Sequence, residues 1–148
     1  MSVPSITIAD AIVTALNAAE LSIDFMATRE YVPRFEAENA AIVQVQVVPK
    51  QDSREIGSAA NDNATIDIDI GVMKKLQDAV TDEKAEMDAL LELCEEIKAV
   101  INRERLAGAT DSICIGLAQA IPYDVEKFDD GRVFLTVITA TFATTVAI

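Results

Sequence analysis

The chain has 148 residues, a length typical of a single domain that can bury its own apolar core. Its 25 acidic residues outnumber the 12 basic ones, and the formal net charge of −13 argues against direct binding of nucleic-acid phosphates. The chain has no histidine, which excludes histidine-dependent catalytic triads and histidine-ligated zinc sites.

The N-terminal third predicts one helix and one strand. Apolar residues at helical spacing predict a helix over 8–19, with Ser5 or Thr7 as its N-cap. Apolar and polar residues then alternate over 21–26, which predicts a strand. The charged stretch 28–39 follows and is expected to be a turn region.

The central part predicts two strands joined by a long loop. Alternating valines predict a strand over 41–48, and Pro49 is expected to end it. The polar segment 50–63 is predicted to be a loop, and loops of this length are often functional. Isoleucine and aspartate alternate over 65–72, which predicts the next strand.

The C-terminal half predicts one long helix and two more strands. An apolar stripe at three- and four-residue steps predicts a helix over 82–106, and Gly108 is expected to stop it. Alternating apolar residues predict a strand at 113–117. A long strand over 132–146 follows the acidic loop 123–131.

This element order predicts a fold in the α+β class. We expect a single domain over 1–148, with one mostly antiparallel sheet of about five strands, two packed helices and long inter-strand loops. The last strand is long for a domain of this size, and an exposed edge on it would be a pairing hazard unless another subunit covers it.

Two groups of carboxylates are candidate chemical sites. Asp67 and Asp69 lie two residues apart on one face of a predicted strand, and this spacing suits a divalent cation as well as a simple solvent-facing row. Glu92, Glu95 and Glu96 are interpreted as a solvated helix face, because no histidine completes a di-metal motif. We therefore expect no catalytic residue, no bound metal and no cofactor.

The order and texture of the segments from Val43 to Leu106 resemble a known family. These segments are the strand ending VVPK at 47–50, the polar SRE at 53–55, the Ile–Asp strand, VMKK at 72–75 and the helix MDALLELCEEI at 87–97. The closing segments IPY at 121–123 and FLTVITATF at 134–142 fit the same pattern. The chain is similar to the tail terminator proteins of long-tailed phages.

This resemblance implies a structural role in the virion. Proteins of this family form a hexameric ring that caps the tail tube, stops its polymerisation and joins the head connector, with DNA passing through the open channel. The implied partners are other copies of the chain, the tail tube protein and the connector or stopper protein, in a virion assembled in the host cytoplasm and not in a membrane. Another neck protein, such as a stopper, is an alternative, as is a metal-dependent enzyme using Asp67 and Asp69.

A closed ring needs two different contact surfaces on each subunit, and long loops commonly supply them. We therefore expect subunit or partner contacts in the 50–63 loop, on the Asp67 strand and in the acidic loop. The residues predicted at these contacts are Lys50, Arg54, Glu55, Asp67, Asp69, Asp124, Glu126, Asp129 and Asp130.

Overall fold

Seven elements build the domain, which is seen in a computed structural model. The structure describes residues 3–33, 42–58, 61–76, 83–102, 106, 108–109, 111–120, 122–126 and 132–147. The elements are α1 (Pro4–Ala18), β1 (Ala27–Arg29), β2 (Gln44–Ile56), β3 (Asn61–Lys75), α2 (Glu83–Ile101), β4 (Ser112–Ala118) and β5 (Val133–Ala147). One five-stranded mixed sheet and two helices confirm the predicted α+β class.

The sheet has the strand order β1-β2-β3-β5-β4, and only the short β1 runs parallel to its neighbour. At its centre β3 and β5 pair antiparallel along their whole length of 15 residues, from Asn61 opposite Ala147 to Lys75 opposite Val133. The other strands add to this pair, β2 along β3 and β4 along β5.

One face of the sheet carries the core, because alternate strand residues point to the same side. On β3 these are Ile66, Ile68, Ile70 and Val72, and all four are fully buried. Their register partners on β5 include Phe142, Ala140 and Ile138. The apolar sides of both helices join the same cluster through Ile8, Ile12, Leu16, Leu90, Leu93 and Ile97. Each such side chain stabilises the fold by about 1.5–3 kcal/mol on burial.

The start of α2 is tied to the sheet by two ion pairs. Lys74 Nζ lies 2.7 Å from Glu86 Oε1, and Arg132 Nη1 lies 3.2 Å from Glu83 Oε2. Both acidic residues lie in the first turn, where the helix dipole favours negative charge. Neither helix in the described part of the chain has the length and apolarity needed to cross a bilayer.

The first helix begins earlier than predicted, and the predicted caps are wrong. Its N-cap is Val3, which makes no side-chain capping bond, while Ser5 lies inside the first turn. Pro4 starts the helix instead, because its fixed φ suits the first helical position and its missing N–H costs nothing there.

The strand predicted over 21–26 is also wrong, and the turn region contains a short strand. Ser22 donates its backbone N–H and its hydroxyl to the Glu96 carboxylate on α2. This stretch therefore contacts the helix and does not pair in the sheet. The strand starts at Ala27, whose backbone N–H and C=O both bond to the Asn17 side chain at 2.7 and 3.1 Å. It then pairs parallel to β2.

The predicted 50–63 loop is a β-hairpin, and Pro49 does not end the strand before it. β2 continues through Pro49 to Ile56, and β3 begins at Asn61. Proline is accommodated because β1 stops opposite Val47, which leaves β2 at the edge of the sheet, and because the register shifts between Pro49 and Gln51. The long inter-strand loop expected here is therefore absent from the described chain.

The other boundaries differ in detail. The long helix ends at Ile101 and not at 106, and Gly108 adopts φ +89° in the turn that follows. β4 and β5 confirm the two predicted strands to within a residue at each end. Because β5 lies between β3 and β4, the exposed edge considered for the last strand belongs to β4 instead.

The central pairing predicts a strong contrast between two isoleucines. We expect Ile70→Ala to lower the free energy of unfolding by about 2–5 kcal/mol, since Ile70 is fully buried. Ile56→Ala, at a position 90% exposed, is expected to change it by no more than about 0.5 kcal/mol. Urea denaturation followed by circular dichroism measures both values, and equal losses would contradict this description of the core.

Candidate subunit-contact surfaces

Asp67 and Asp69 belong to a polar ladder on the sheet face opposite the core. Thr141 and Thr139 lie directly across from them on β5. Each threonine donates its hydroxyl to the facing carboxylate Oδ1 at 2.8 Å. Both aspartates are half-buried. This geometry is that of stabilising cross-strand pairs, which typically contribute a few tenths of a kcal/mol to about 1 kcal/mol each.

The metal-site alternative needs more ligands than these two carboxylates. Successive side chains on one strand face are about 7 Å apart, so a hard cation between them requires further oxygen ligands. Within the described parts of the chain, no group of three His, Cys, Asp or Glu residues is placed to hold a metal ion.

The β2–β3 hairpin extends the sheet into a projecting arm. We call residues 50–58 and 61–64 the hairpin arm. Every residue from 50 to 58 is exposed, and Ile56 near the tip is 90% exposed. On the inner side β3 is backed by β5, so that Ala64 is buried. The outer side of β2 beyond Val47 has no strand beside it among the described residues.

Lys50, Arg54 and Glu55, three of the residues predicted at contacts, all lie on this arm in strand β2 and not in a loop. Lys50 is the extra residue of the bulge. Arg54 forms a two-pronged contact with Asp52, Nε to Oδ1 at 3.2 Å and Nη2 to Oδ2 at 3.1 Å. This hydrogen bonding raises the pKa of the Arg54 guanidinium above its ordinary value. Sequence reasoning missed Asp52, although a two-residue spacing on a strand face would have indicated it.

The two described acidic residues of the 123–131 segment, Asp124 and Glu126, lie at the opposite end of the sheet. The backbone N–H of Asp124 donates to the Leu135 carbonyl at 2.9 Å, and Leu135 pairs with Met73 near the end of β3. Glu126 is exposed nearby. Asp129 and Asp130 lie outside the described residues. The predicted contact residues that the structure describes thus form separate surfaces at two ends and the middle of the sheet, and not one site.

A shallow cavity of about 280 Å³ opens on the same face as the Asp–Thr ladder. Its walls are mostly apolar, with one lysine and one aspartate among them. The lining residues are Pro33, Gln46, Val48, Lys50, Asp69, Gly71, Leu135 and Val137. Alternation along the strands did not predict this cavity. The feature of the sequence that indicates it is the apolar pair Leu135 and Val137, which lie on the face of β5 opposite the core.

The outer edge of β4 is a second surface that sequence reasoning did not assign. β4 lies at the end of the sheet, and its sequence SICIGLA contains no charged residue. Ile113 and Ile115 are 49% and 60% exposed. Natural edge strands usually carry charges or proline that prevent pairing with another chain. This edge lacks both protections.

Both cysteines have a structural place. Cys94 is fully buried in the core on α2, and burial raises the pKa of its thiol to about 11. Cys114 is half-buried on β4, where its Sγ contacts the Gly116 carbonyl at 3.5 Å. Burial raises the pKa of the Cys114 thiol as well. A raised pKa keeps each sulfur as the unreactive thiol near neutral pH.

No family model matches the chain, and no curated protein matches it either.

The Asp–Thr ladder predicts a structural effect of its carboxylates. We expect Asp67→Ala and Asp69→Ala each to destabilise the protein by roughly 0.5–1.5 kcal/mol, because each leaves a threonine hydroxyl without its partner. The Asn variants are expected to lose less, since the amide oxygen still accepts. Urea denaturation measures these losses, with Asp88→Ala on the exposed side of α2 as the control.

The same proteins test the metal alternative. If the aspartates serve only the sheet, millimolar Mg²⁺ or Mn²⁺ leaves the melting temperature of the unsubstituted protein unchanged. A rise that disappears in Asp67→Asn and Asp69→Asn would reveal a cation site, because a ligand that binds only the folded state stabilises it.

Proposed function

We propose that this chain is a phage tail terminator, a structural subunit that forms a hexameric ring at the head-proximal end of the tail tube. The proposal combines the resemblance of the segments between residues 43 and 142 with one structural observation. That observation is the hairpin arm, a strand edge that runs past the helix-covered core with nine successive exposed residues.

The arm is suited to subunit contacts because it is both exposed and held in shape. An isolated two-stranded hairpin is at best marginally stable in water. Here β5 backs β3 as far as Asn61, so the arm is part of a three-stranded ladder along its whole length. A preformed strand loses little conformational entropy when it docks, and its free backbone groups can extend a neighbour's sheet.

The charge distribution supports a ring around DNA. A net charge of −13 repels phosphates, so a channel lined by such subunits lets DNA pass without holding it. The arm and the Asp124 end lie at opposite ends of the sheet. In the proposed ring the arm contacts the next subunit, and the Asp124 end supplies a surface for the tube protein or the connector.

The ring is tested by mass and by tube capping. We expect light scattering on the purified chain to show a concentration-dependent oligomer with the mass of six subunits. Mixed with the tail tube protein of the same phage, the chain is expected to stop tube growth and to appear in electron micrographs as a ring at one tube end. A protein that stays monomeric at all concentrations contradicts the ring, and an oligomer that binds the connector but not the tube indicates a stopper.

A matched pair of charge reversals tests whether the arm makes the contact. Arg54→Glu on the arm is expected to weaken assembly at least tenfold without changing the unfolding midpoint. Lys84→Glu, on the exposed side of α2, makes the same change in net charge and is expected to assemble as the unsubstituted protein does. If both variants weaken assembly equally, net charge causes the loss and the arm is not part of the interface.

A further inference from the structure

Among the described residues, β4 and the part of β2 beyond Val47 each have an edge without a neighbouring strand, and these two edges lie at the same height. Ser112 on β4 pairs with Thr144 on β5, which pairs with Ala64 on β3. Ala64 in turn pairs with Arg54 on β2, so Ser112 and Arg54 lie level across the sheet. At the other end Ala118 is level with Thr139, Asp69 and Val48. The seven residues of β4 therefore span the same part of the sheet as residues 48–54 of β2. This part of β2 begins one residue past the end of its pairing with β1.

The two edges also have compatible directions. Three antiparallel steps separate β2 from β4, so the two strands run in opposite directions within one subunit. A second copy placed beside the first with its sheet in the same orientation brings its β2 antiparallel to β4 of the first. No shift along the strands is needed, and antiparallel pairing is the slightly more stable kind.

Both edges carry a bulge at nearly the same height. The extra residue is Lys50 on β2, beside Ile68, and Ile115 on β4, beside Phe142. Bulges increase the local twist and bend of a strand. Two edges that bend at one level match each other in shape better than either matches a straight strand.

Composition selects one edge pairing over another. β4 has no charge, so it adds no like-charge repulsion to a contact between copies that each carry −13. Lys50 and Arg54 disfavour pairing of β2 with another β2, because facing cations repel. The exposed Ile113 and Ile115 gain burial from a neighbouring strand.

We propose that β4 of one copy pairs antiparallel with β2 of the next copy, over residues 112–118 and 48–54, so that the sheet continues across the subunit boundary. The two edges are different surfaces, as a closed ring requires. This pairing rests on the proposed ring, because it names the surface that receives the hairpin arm. It places Ile113 opposite Ser53 of the next copy.

Cysteine cross-linking tests the pairing at one residue pair. In a background with Cys114→Ala, the double variant Ser53→Cys and Ile113→Cys is mixed with a mild oxidant at assembling concentrations. Directly opposed strand residues have Cα atoms about 4.5–5.5 Å apart, within reach of a disulfide. We expect a ladder of cross-linked species on a non-reducing gel, from dimers up to the closed ring.

The controls separate this proposal from the ring itself. The single variants Ser53→Cys and Ile113→Cys, and the double variant Ile113→Cys with Val125→Cys at the far end of the sheet, are expected to give no ladder. Dimers from Ile113→Cys alone would replace the proposed pairing by a two-fold β4–β4 contact. If light scattering shows a six-subunit ring of the double variant and no ladder forms, the edge pairing is wrong while the ring stands. If both the double variant and the unsubstituted protein are monomeric, the proposed ring is wrong, and the edge pairing is wrong with it.

Discussion

The antiparallel pairing of β3 with β5 is the interaction on which the rest of the structure depends. Its 15 residue pairs run from the helix-covered core to the end of the hairpin arm without a break. β2 and β4 are each attached to one of these two, β1 is added through β2, and both helices pack against the face that the central pair presents. A long central ladder thus fixes the heights of β2 and β4, and with them the positions of their outer edges.

The two faces of this ladder have different chemistry because side chains alternate along each strand. The core face is closed by α1 and α2 and is apolar. The opposite face carries the Asp–Thr pairs and the shallow cavity, so it is stabilised by cross-strand hydrogen bonds as well as by apolar contacts. The carboxylates that the sequence offered as a cation site belong to this second kind of stabilisation.

Strands with one buried face were predictable from the sequence, and the arm was not. Alternation located the core part of β3 and both C-terminal strands, because burial of one face imposes a period of two. Residues 50–56 leave both faces exposed, so no hydrophobic period marks them, and Pro49 suggested a strand end. The 21–26 stretch shows the opposite error, since its alternation reflects packing of Leu21, Ile23 and Phe25 against the core and not pairing in a sheet.

The matched heights of the edges could not be foreseen either, because they depend on two bulges that shift the register by one residue each. Hydrogen exchange tests the central claim that these edges are free in the subunit and covered in the assembly. Assembly is predicted to slow amide exchange in residues 48–54 and 112–118, while α1 and α2 exchange as they do in the dilute protein. Unchanged exchange at both edges, with new protection on the helices, would contradict the account.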